Sequence, residues 1–393
     1  MTTLLFAGGG SGGHVFPMLA VAEAAKALLP SARLVFVGTD KGMETKLVPE
    51  RGYELELVRV LPIRGGGLFG ALRGIGRAAG SIPEGRRIVA RISPDAVFSI
   101  GGYAAGPVAL AARTLGIPLA LMEPNVEAGL ANRLIAPLVQ RAYVAFPESQ
   151  RYFKPTVTLQ TGIPLRAGFE PAPYVAPRGE LKVLVLGGSQ GARSLNEAVP
   201  RALSALGPGV EVVHQCGRAH EQAARALYAE LGFGDRARVA PFIEDMPSAL
   251  AAAQLVIGRA GAGAVGEICA VGRPSLLVPY PFAGDHQKLN ADSLARDGAS
   301  TWIPSADATP ERLATELRRL MNDPARLIAM ADAARRLGRP RAAHTIALDL
   351  LELAGARELQ RAERSPRAPT SSRPLPSDPD RRPLTAAAGL EAL

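Results

Sequence analysis

The sequence predicts an α/β protein made of two Rossmann-like domains that face a common cleft. A short apolar strand, a glycine-rich turn and a helix follow one another at residues 3–29, and the same pattern returns at residues 182–196. Hydrophobic residues make up 47% of the 393 residues but aromatic residues only 5%, a composition typical of buried parallel strands and the helices that cover them. Three prolines within residues 169–180 indicate a semi-rigid linker between the two halves.

The first glycine-rich turn, GGGSGG at residues 8–13, opens a helix with His14 at its start. The turn contains the GxGxxG spacing of a dinucleotide site, in which Asp40 after the second strand would bind the ribose. A nicotinamide-dependent dehydrogenase is therefore one alternative, although the additional glycines are not what such a site requires. The helix dipole disfavours the charged form of His14, so we expect a neutral side chain that can accept a proton. The other possibility for His14 is a hydrogen-bonding residue without a catalytic duty.

The segment from residue 59 to residue 91 differs from the rest of the domain in its charge. It holds seven arginines and a single acid, Glu84, and its stretch LFGALRGIGR places apolar residues at helical spacing between arginines. This pattern is typical of a segment that dips into a lipid headgroup layer, and we predict that residues 64–91 dock on an anionic membrane surface. The alternative is a helix that packs its apolar side on its own domain while its arginines are solvated. The apolar residues are Leu68, Phe69, Leu72 and Ile75.

Further turns and polar side chains follow the remaining strands of the first domain. The strand at residues 96–100 leads into GGYAAGP, and the strand at residues 119–122 delivers Glu123, Pro124 and Asn125. The motif GLANR then starts a helix, and TGIPLR closes the domain. Each motif lies after a strand, where ligands of such sheets bind.

The second domain begins with the strand at residues 182–186 and the turn GGSQG. Ser189 and Gln190 in this turn offer a hydroxyl and an amide to a phosphate or a sugar. The motif FIEDM follows a later strand, and the backbone of Ile243 is placed to read a uracil edge in a flat pocket walled by its apolar neighbours. Those neighbours alternatively belong to the core.

The stretch at residues 255–290 carries the features of a nucleotide-sugar site. A strand, a glycine-rich turn and a helix aim free N–H groups and the positive end of the helix dipole at an anion, so residues 262–264 are predicted to bind a diphosphate. Glu267, one turn into that helix, can accept hydrogen bonds from ribose hydroxyls. The polar residues that suit a sugar at the start of the next helix are Asp285, Gln287 and Asn290.

Six sequence blocks resemble one family in the same order along the chain. GGGSGGHVFP, GGYAAGP, GLANR, GGSQGARSLN, GRAGAGAVGE and PYPFAGDHQKLNA are similar to the MurG family, the bacterial N-acetylglucosaminyltransferases that convert lipid I into lipid II. Any one such turn is alternatively tight packing in an α/β sheet. Two positions depart from the family: Pro124 replaces a glutamine and Met122 stands where a histidine is common, which puts the contribution of position 124 in doubt.

The resemblance implies a GT-B glycosyltransferase fold and an inverting transfer of N-acetylglucosamine from UDP-N-acetylglucosamine to the C4 hydroxyl of lipid I, the undecaprenyl-linked muramyl acceptor. His14 is then the catalytic base, helix N-termini and Arg166 stabilise the leaving UDP, and neither a metal nor a cofactor is implied. The residues assigned to the acceptor are Gly10, Gly102, Tyr103 and Asn132. The residues assigned to the donor are Ser11, Gly12, Gly13, Asn125, Arg166, Ser189, Ile243, Ala262, Gly263, Ala264, Glu267, Asp285 and Gln287.

The predicted domain organisation has four parts. Residues 1–163 form the acceptor and membrane-facing domain, and residues 164–338 form the domain that binds the UDP-sugar. By the resemblance, a last helix at residues 339–355 packs back on the first domain. Residues 356–393 are rich in Pro, Ser, Arg and Ala without periodicity, which predicts a disordered tail.

Cysteine content, charge and hydropathy limit the partners and the compartment. Only Cys216 and Cys269 occur, far apart, which favours a reducing compartment. The start of the chain lacks a signal-peptide pattern, and no run approaches the roughly 18 apolar residues of a membrane helix. The net charge is +9, yet nucleic-acid-binding motifs are missing. We therefore predict a peripheral protein on the cytoplasmic side of the cell membrane, with UDP-N-acetylglucosamine, lipid I, anionic lipid and other cell-wall synthesis enzymes as partners and no nucleic acid.

Two further functions stay open at this point. A UDP-N-acetylglucosamine 2-epimerase on the same two-domain frame would need the donor alone and no membrane patch. A nucleotide-sugar-binding module without catalysis would result if Pro124 disables the site.

Overall fold

The computed structural model describes residues 1–40, 42–58, 81–102, 104–188, 191–281 and 285–355. Within these residues the first half of the chain forms a parallel sheet whose strands follow the order β3-β2-β1-β4-β5-β6-β7. Every neighbouring pair is parallel, as is usual for a sheet covered by helices on both faces. The strands are β1 (Thr3–Gly8), β2 (Arg33–Gly38), β3 (Glu54–Leu57), β4 (Ala96–Gly101), β5 (Leu119–Glu123), β6 (Arg141–Val144) and β7 (Thr158–Gln160).

Helices connect these strands and place their N-termini at the carboxyl edge of the sheet. The longest, α1, begins directly after β1, with Ser11 as its N-cap residue, so the GGGSGG turn leads straight into a helix as predicted. The helices described in this half are α1 (Gly12–Leu28), α2 (Glu44–Leu47), α3 (Ile82–Ile92), α4 (Ala105–Thr114) and α5 (Leu130–Ile135).

The second half forms another parallel sheet, in the order β10-β9-β8-β11-β12-β13. Its strands are β8 (Leu181–Leu186), β9 (Val210–Gln215), β10 (Ala237–Ala240), β11 (Leu255–Gly258), β12 (Ser275–Leu277) and β13 (Ser300–Trp302). Its helices are α6 (Arg193–Ser204), α7 (Glu221–Glu230), α8 (Met246–Ala252), α9 (Ala262–Val271), α10 (His286–Arg296), α11 (Pro310–Met321) and α12 (Pro324–Leu337). The two parallel sheets confirm the predicted pair of Rossmann-like α/β halves.

Both sheets reverse their strand order at the same relative position. The reversal lies between β1 and β4 in the first sheet and between β8 and β11 in the second. Open α/β sheets bind ligands in the crevice outside the strand ends at such a switch point. The glycine-rich turns after β1, β4, β8 and β11 are therefore at the positions where the topology provides binding crevices.

The last helix, α13 (Ala342–Leu353), packs against α1 and β4 of the first sheet. The side chains Phe36, Phe6, Phe98 and Tyr143 form a row of aromatic contacts across that sheet, with centroid distances of 5.0, 5.7 and 6.2 Å between successive rings. Tyr143 at the end of the row donates a 2.7 Å hydrogen bond to Asp349 of α13. The helix that follows the second half of the chain is thus held by the core of the first half.

The described part of the arginine-rich segment is helix α3. Its apolar residues Ile88, Val89 and Ile92 are buried, and Arg91 forms a 2.7 Å ion pair with Glu56. The apolar side of α3 therefore faces its own domain. Leu68, Phe69, Leu72 and Ile75, which carry the docking prediction, lie outside the described residues, as does the predicted tail at residues 356–393. Among the described helices, none is long and apolar enough to cross a membrane.

Candidate active site

A cleft of about 490 Å³ lies at the carboxyl edge of both sheets and is lined from both halves. The first half supplies the α1 start, the loop after β4, the segment after β5 and the start of α5. The second half supplies the starts of α9 and α10. Eight residues predicted for the site line this cleft together: Ser11, Gly13, His14, Gly102, Asn125, Asn132, Ala262 and Gln287.

His14 lies in the first turn of α1, with its imidazole partly exposed to the cleft. Its Nδ1 atom lies 3.1 Å from the carbonyl oxygen of Gly9. A carbonyl can only accept, so this contact requires a proton on Nδ1 and leaves Nε2 with a free lone pair when the ring is neutral. Nε2 is then the atom of His14 that can accept a proton from a bound hydroxyl.

Glu44 lies beneath the same turn, and the sequence offered no motif that singles it out. Its carboxylate accepts hydrogen bonds from Gly10 N at 2.8 Å, from Thr39 N at 2.8 Å and from the Thr39 hydroxyl at 3.0 Å. The N–H of Gly10 is therefore not free to bind the pyrophosphate of a dinucleotide, which speaks against the dehydrogenase alternative based on Asp40. Any contact between Gly10 and an acceptor must likewise use an atom other than this N–H.

Glu123 lies at the end of β5 and collects the polar groups of the next loop and helix. Its carboxylate accepts from Asn125 N at 3.0 Å, Gly129 N at 3.1 Å and Asn132 Nδ2 at 2.8 Å. Burial raises the pKa of the Glu123 carboxyl above its ordinary value, although these hydrogen bonds oppose the rise. The cluster holds Asn125 and Asn132 in place at the cleft wall without the glutamine that Pro124 replaces.

Asn132 retains one unused acceptor. Its Nδ2 donates to Glu123 and to the carbonyl of Met122, but its buried Oδ1 has no hydrogen-bond partner among the described residues. A Cβ atom on Gly101 would lie 2.9 Å from that oxygen, so the oxygen borders the loop after β4. Buried polar atoms are normally paired, so this oxygen is an exception at the cleft wall.

The second half presents the N-terminus of α9 to the cleft. Gly261 is its N-cap residue, Ala262 is its first residue, and Gly263 and Ala264 lie partly exposed in the first turn. The free N–H groups and the dipole of this ten-residue helix favour an anion at its start. Gln287 lies beside it: its Oε1 accepts from Tyr280 N at 2.9 Å, and its Nε2 faces Gly261.

Glu267 lies one turn further along α9, close to Arg166. No described residue donates a hydrogen bond to its carboxylate, and burial raises its pKa to about 7 while the positive charge of Arg166 opposes the rise. Arg166 rests on the ring of Phe169 at 5.5 Å. Hydrogen bonds from Ser248 lower the pKa of Asp245, and the charge of Arg166 adds a smaller effect in the same direction. Arg166 therefore lies close enough to Glu267 and Asp245 to influence the pKa of both carboxyls.

The backbone of Ile243 lies near this group, two residues before Asp245. Its N–H donates to Gln215 Oε1 at 3.0 Å, so reading a base through that N–H requires Gln215 to move.

Tyr103 and Ser189 lie outside the described residues. Asp285 has a left-handed backbone, with φ of 59°, and its side chain does not cap α10. Such a conformation is rare outside glycine, and it often marks a functional position.

Asn290 differs from the sequence expectation that it contacts a sugar. Its Nδ2 donates to Asn125 Oδ1 and to the carbonyl of Ala260, both at 3.1 Å, and its Oδ1 accepts from Val126 N at 3.0 Å. The side chain is fully buried. Asn290 therefore links the loop after β5 in the first half to the loop before α9 in the second half.

Arg259, just before α9, is a further residue that sequence reasoning missed. Its guanidinium donates to the carbonyl of Val278 at 2.9 Å and to the hydroxyl of Ser194 at 2.8 Å, and its buried Nε has no partner among the described residues. A half-buried cation thus lies between the start of α6 and the segment that follows β12. No group of three His, Cys, Asp or Glu side chains in the described ranges is placed to hold a metal ion.

Two family models match the two halves of the chain. The glycosyltransferase family 28 N-terminal domain matches residues 4–144, and the glycosyltransferase family 28 C-terminal domain matches residues 182–346. The first match covers most of the first sheet but not β7, and the second match covers nearly all of the second sheet. The pair of matches leaves out the linker at residues 169–180.

Similar proteins and a similar structure cover nearly the whole chain. The UDP-N-acetylglucosamine–N-acetylmuramyl-(pentapeptide) pyrophosphoryl-undecaprenol N-acetylglucosamine transferase of Sorangium cellulosum is 55% identical over 91% of this chain and 89% of its own length. The protein of that name from Anaeromyxobacter dehalogenans strain 2CP-C is 42% identical over 89% of this chain and 92% of its own. The crystal structure of Acinetobacter baumannii MurG matches with a TM-score of 0.75 at 32% identity, covering 90% of this chain and all of that one.

Proposed function

The chain belongs to glycosyltransferase family 28, and we propose that it transfers N-acetylglucosamine from UDP-N-acetylglucosamine to the C4 hydroxyl of undecaprenyl-pyrophosphoryl-N-acetylmuramyl-pentapeptide. The reaction converts lipid I into lipid II for peptidoglycan synthesis. The observation that carries the proposal is the shared cleft. His14, which can act as a base, and the helix start at Ala262, which can bind a diphosphate, line this cleft from opposite halves. A transferase needs both groups in one crevice.

The donor binds mainly to the second half. The diphosphate lies at the start of α9, where free N–H groups and the helix dipole stabilise its charge. Glu267 accepts hydrogen bonds from the ribose hydroxyls, since its carboxylate has no hydrogen-bond donor among the described residues. Arg166 stabilises the charge that grows on the leaving UDP, and the segment around Ile243 borders the base. Gln287 and Asp285 hydrogen-bond the sugar.

The acceptor binds to the first half, and His14 Nε2 removes the proton from its C4 hydroxyl. The resulting oxygen attacks the anomeric carbon from the face opposite UDP, so the α linkage of the donor becomes a β linkage in one displacement. Asn132, which lines the cleft on the first half, contacts the acceptor. General base catalysis of this kind contributes roughly 10²- to 10⁴-fold.

The protein acts as a peripheral enzyme at the cytoplasmic face of the membrane, with residues 64–91 as the docking segment. The support is the charge pattern of that segment and the polyprenyl chain of the acceptor. Sedimentation with anionic liposomes tests this: a variant with Leu68, Phe69 and Leu72 replaced by serine should lose most of its binding. The matched control is Ile328→Ser at an exposed position of α12, which should sediment like the wild type. Unchanged sedimentation of the triple variant would contradict docking.

The transfer itself is tested with radiolabelled UDP-N-acetylglucosamine and a lipid I analogue. We expect the label to appear in a β-linked disaccharide product. Conversion of the donor to UDP-N-acetylmannosamine without transfer would indicate the 2-epimerase instead. Donor binding without either product would indicate a binding module and would direct attention to Pro124.

A further inference from the structure

Glu44 and His14 contact the same peptide group from opposite sides. Gly10 N donates to Glu44 Oε2 at 2.8 Å, and His14 Nδ1 lies 3.1 Å from Gly9 O. The N–H of Gly10 and the C=O of Gly9 belong to one peptide unit, which is planar and trans, so the two groups point in opposite directions. This peptide unit therefore connects a buried carboxylate to the imidazole.

The chain is built closely around this arrangement. Glu44 is only 1% exposed, and a Cβ atom on Gly9, Gly38 or Gly42 would lie 2.2, 2.3 or 2.0 Å from an atom of its side chain. Only glycine leaves room for the carboxylate at these three positions. On the other side of the peptide, a Cβ atom on Gly102 would lie 2.9 Å from Gly9 O. Gly9, Gly10 and Gly102 all have positive φ, between 85° and 147°, which favours glycine at each.

Burying a carboxylate costs free energy unless hydrogen bonds compensate it. Among the described residues, the groups that donate hydrogen bonds to the Glu44 carboxylate are neutral: Gly10 N and the backbone N–H and hydroxyl of Thr39. Such a charge polarises the groups that donate to it, and a peptide whose N–H donates to an anion has a stronger acceptor at its C=O. The stronger Gly9 carbonyl favours a proton on His14 Nδ1 over a proton on Nε2.

We propose that Glu44 is a positioning residue that acts through the Gly9–Gly10 peptide to hold His14 in the Nδ1–H tautomer, with the lone pair of Nε2 facing the cleft. Glu44 touches neither substrate. Its effect on the rate rests on the proposed role of His14 as the base, but its effect on the tautomer does not.

The test substitution is Glu44→Gln, which keeps the shape of the side chain. Glutamine has one oxygen, so if the oxygen stays with the two donors of Thr39, its NH₂ group faces the N–H of Gly10 and releases that peptide. Thr39→Val is the matched control, because it removes one hydrogen bond to the same carboxylate but leaves the contact with Gly10 intact.

The measurement is the nitrogen NMR signal of the His14 ring in the full chain, at a pH where the ring is neutral. The sequence has five histidines, and His14→Gln assigns the signal. We expect the Nδ1–H tautomer in the wild type and in Thr39→Val, and a mixture of tautomers in Glu44→Gln. In the transfer assay, kcat of Glu44→Gln should fall about 10- to 100-fold while KM for UDP-N-acetylglucosamine stays within about twofold.

Three results would overturn the proposal. A wild-type His14 in the Nε2–H tautomer contradicts it without any substitution, so the test does not depend on the folding of a variant. An unchanged tautomer in Glu44→Gln contradicts it, and so does an equal change in Thr39→Val, which would reduce Glu44 to a packing role. If no transfer occurs but the tautomer shifts as expected, the positioning role stands and the transferase proposal fails.

Discussion

At the scale of single residues, Glu267 has a carboxyl whose charge is disfavoured by burial and which we propose binds the donor. Burial disfavours the charge and raises the pKa of its carboxyl to about 7, so the carboxyl is mostly ionised only above that pH. Ribose hydroxyls would supply hydrogen bonds to the ionised form, which the described residues do not supply. Groups that serve ligands are often poorly satisfied in the free protein in this way.

The affinity for the donor should therefore depend on pH through Glu267. We expect the Kd for UDP-N-acetylglucosamine to weaken about tenfold between pH 8 and pH 6, because the carboxyl takes up a proton as the pH falls through 7 and then no longer accepts from both hydroxyls. The diphosphate of this ligand is esterified at both ends and does not titrate in that range. Calorimetry of Glu267→Gln should give weaker binding at pH 8 and little dependence on pH; a wild-type slope in this variant would contradict the role in ribose binding.

His214 contributes to the stability of the folded chain at neutral pH. It is fully buried, its Nδ1 and Nε2 lie 3.0 Å from the Tyr228 hydroxyl and from Asn196 Oδ1, and burial lowers its pKa to about 4. The unfolded chain takes up a proton below about pH 6.5 and the folded chain only near pH 4, so stability is lost as the pH falls across that window. The loss attributable to His214 is on the order of 3 kcal/mol.

Urea unfolding between pH 7.5 and pH 4.5 measures this loss. The fall in unfolding free energy should be smaller in His214→Gln than in the wild type. His344→Gln, at an exposed histidine of α13, should follow the wild-type curve. Parallel curves for His214→Gln and the wild type would show that the proton uptake arises elsewhere.

At the scale of elements, the position of α13 depends on a few polar contacts with the first sheet. Asp349 accepts from the buried Tyr143 hydroxyl at 2.7 Å and from Arg141 Nε at 3.1 Å. Asp349→Ala leaves the hydroxyl unpaired, and we expect it to lower the unfolding free energy by about 1–3 kcal/mol. Denaturant unfolding checks this. Glu352→Ala, an exposed site on the same helix, should cost less than about 0.5 kcal/mol, and an equal loss there would argue against the specific contact.

The strands and their glycine-rich turns are the elements that sequence reasoning predicts well. The strand Thr3–Gly8 is a short run of mostly apolar residues, and the glycine-rich turn GGSGG follows it directly. This local pattern is sufficient to place both the strand and the turn. Glu44, Arg259 and the link through Asn290 have no such local pattern, because each depends on segments that meet only in the folded chain. The resemblance to a family supplied the role of His14 as the base, whereas the position of Glu267 one turn into its helix already indicated ribose hydroxyls.

At the scale of the whole molecule, helix α10 joins the two halves beside the cleft. His286 Nδ1 lies 3.1 Å from the carbonyl of Glu127, and Ser293 donates to Glu148 at 2.9 Å. With Asn290 between them, one face of this helix contacts the first half along its length. The helix that carries Gln287 is thus attached to the half that carries His14. This attachment fixes the spacing between the proposed donor site and the proposed base.

Single-turnover transfer by His14→Ala, with binding of UDP-N-acetylglucosamine measured in parallel, tests the proposed mechanism. We expect a rate lower by roughly 10²- to 10⁴-fold, since the base is removed, with a Kd for the donor within about twofold of the wild type. Near-normal turnover by His14→Ala with intact donor binding would contradict the assignment of the base and, with it, the mechanism proposed for the cleft.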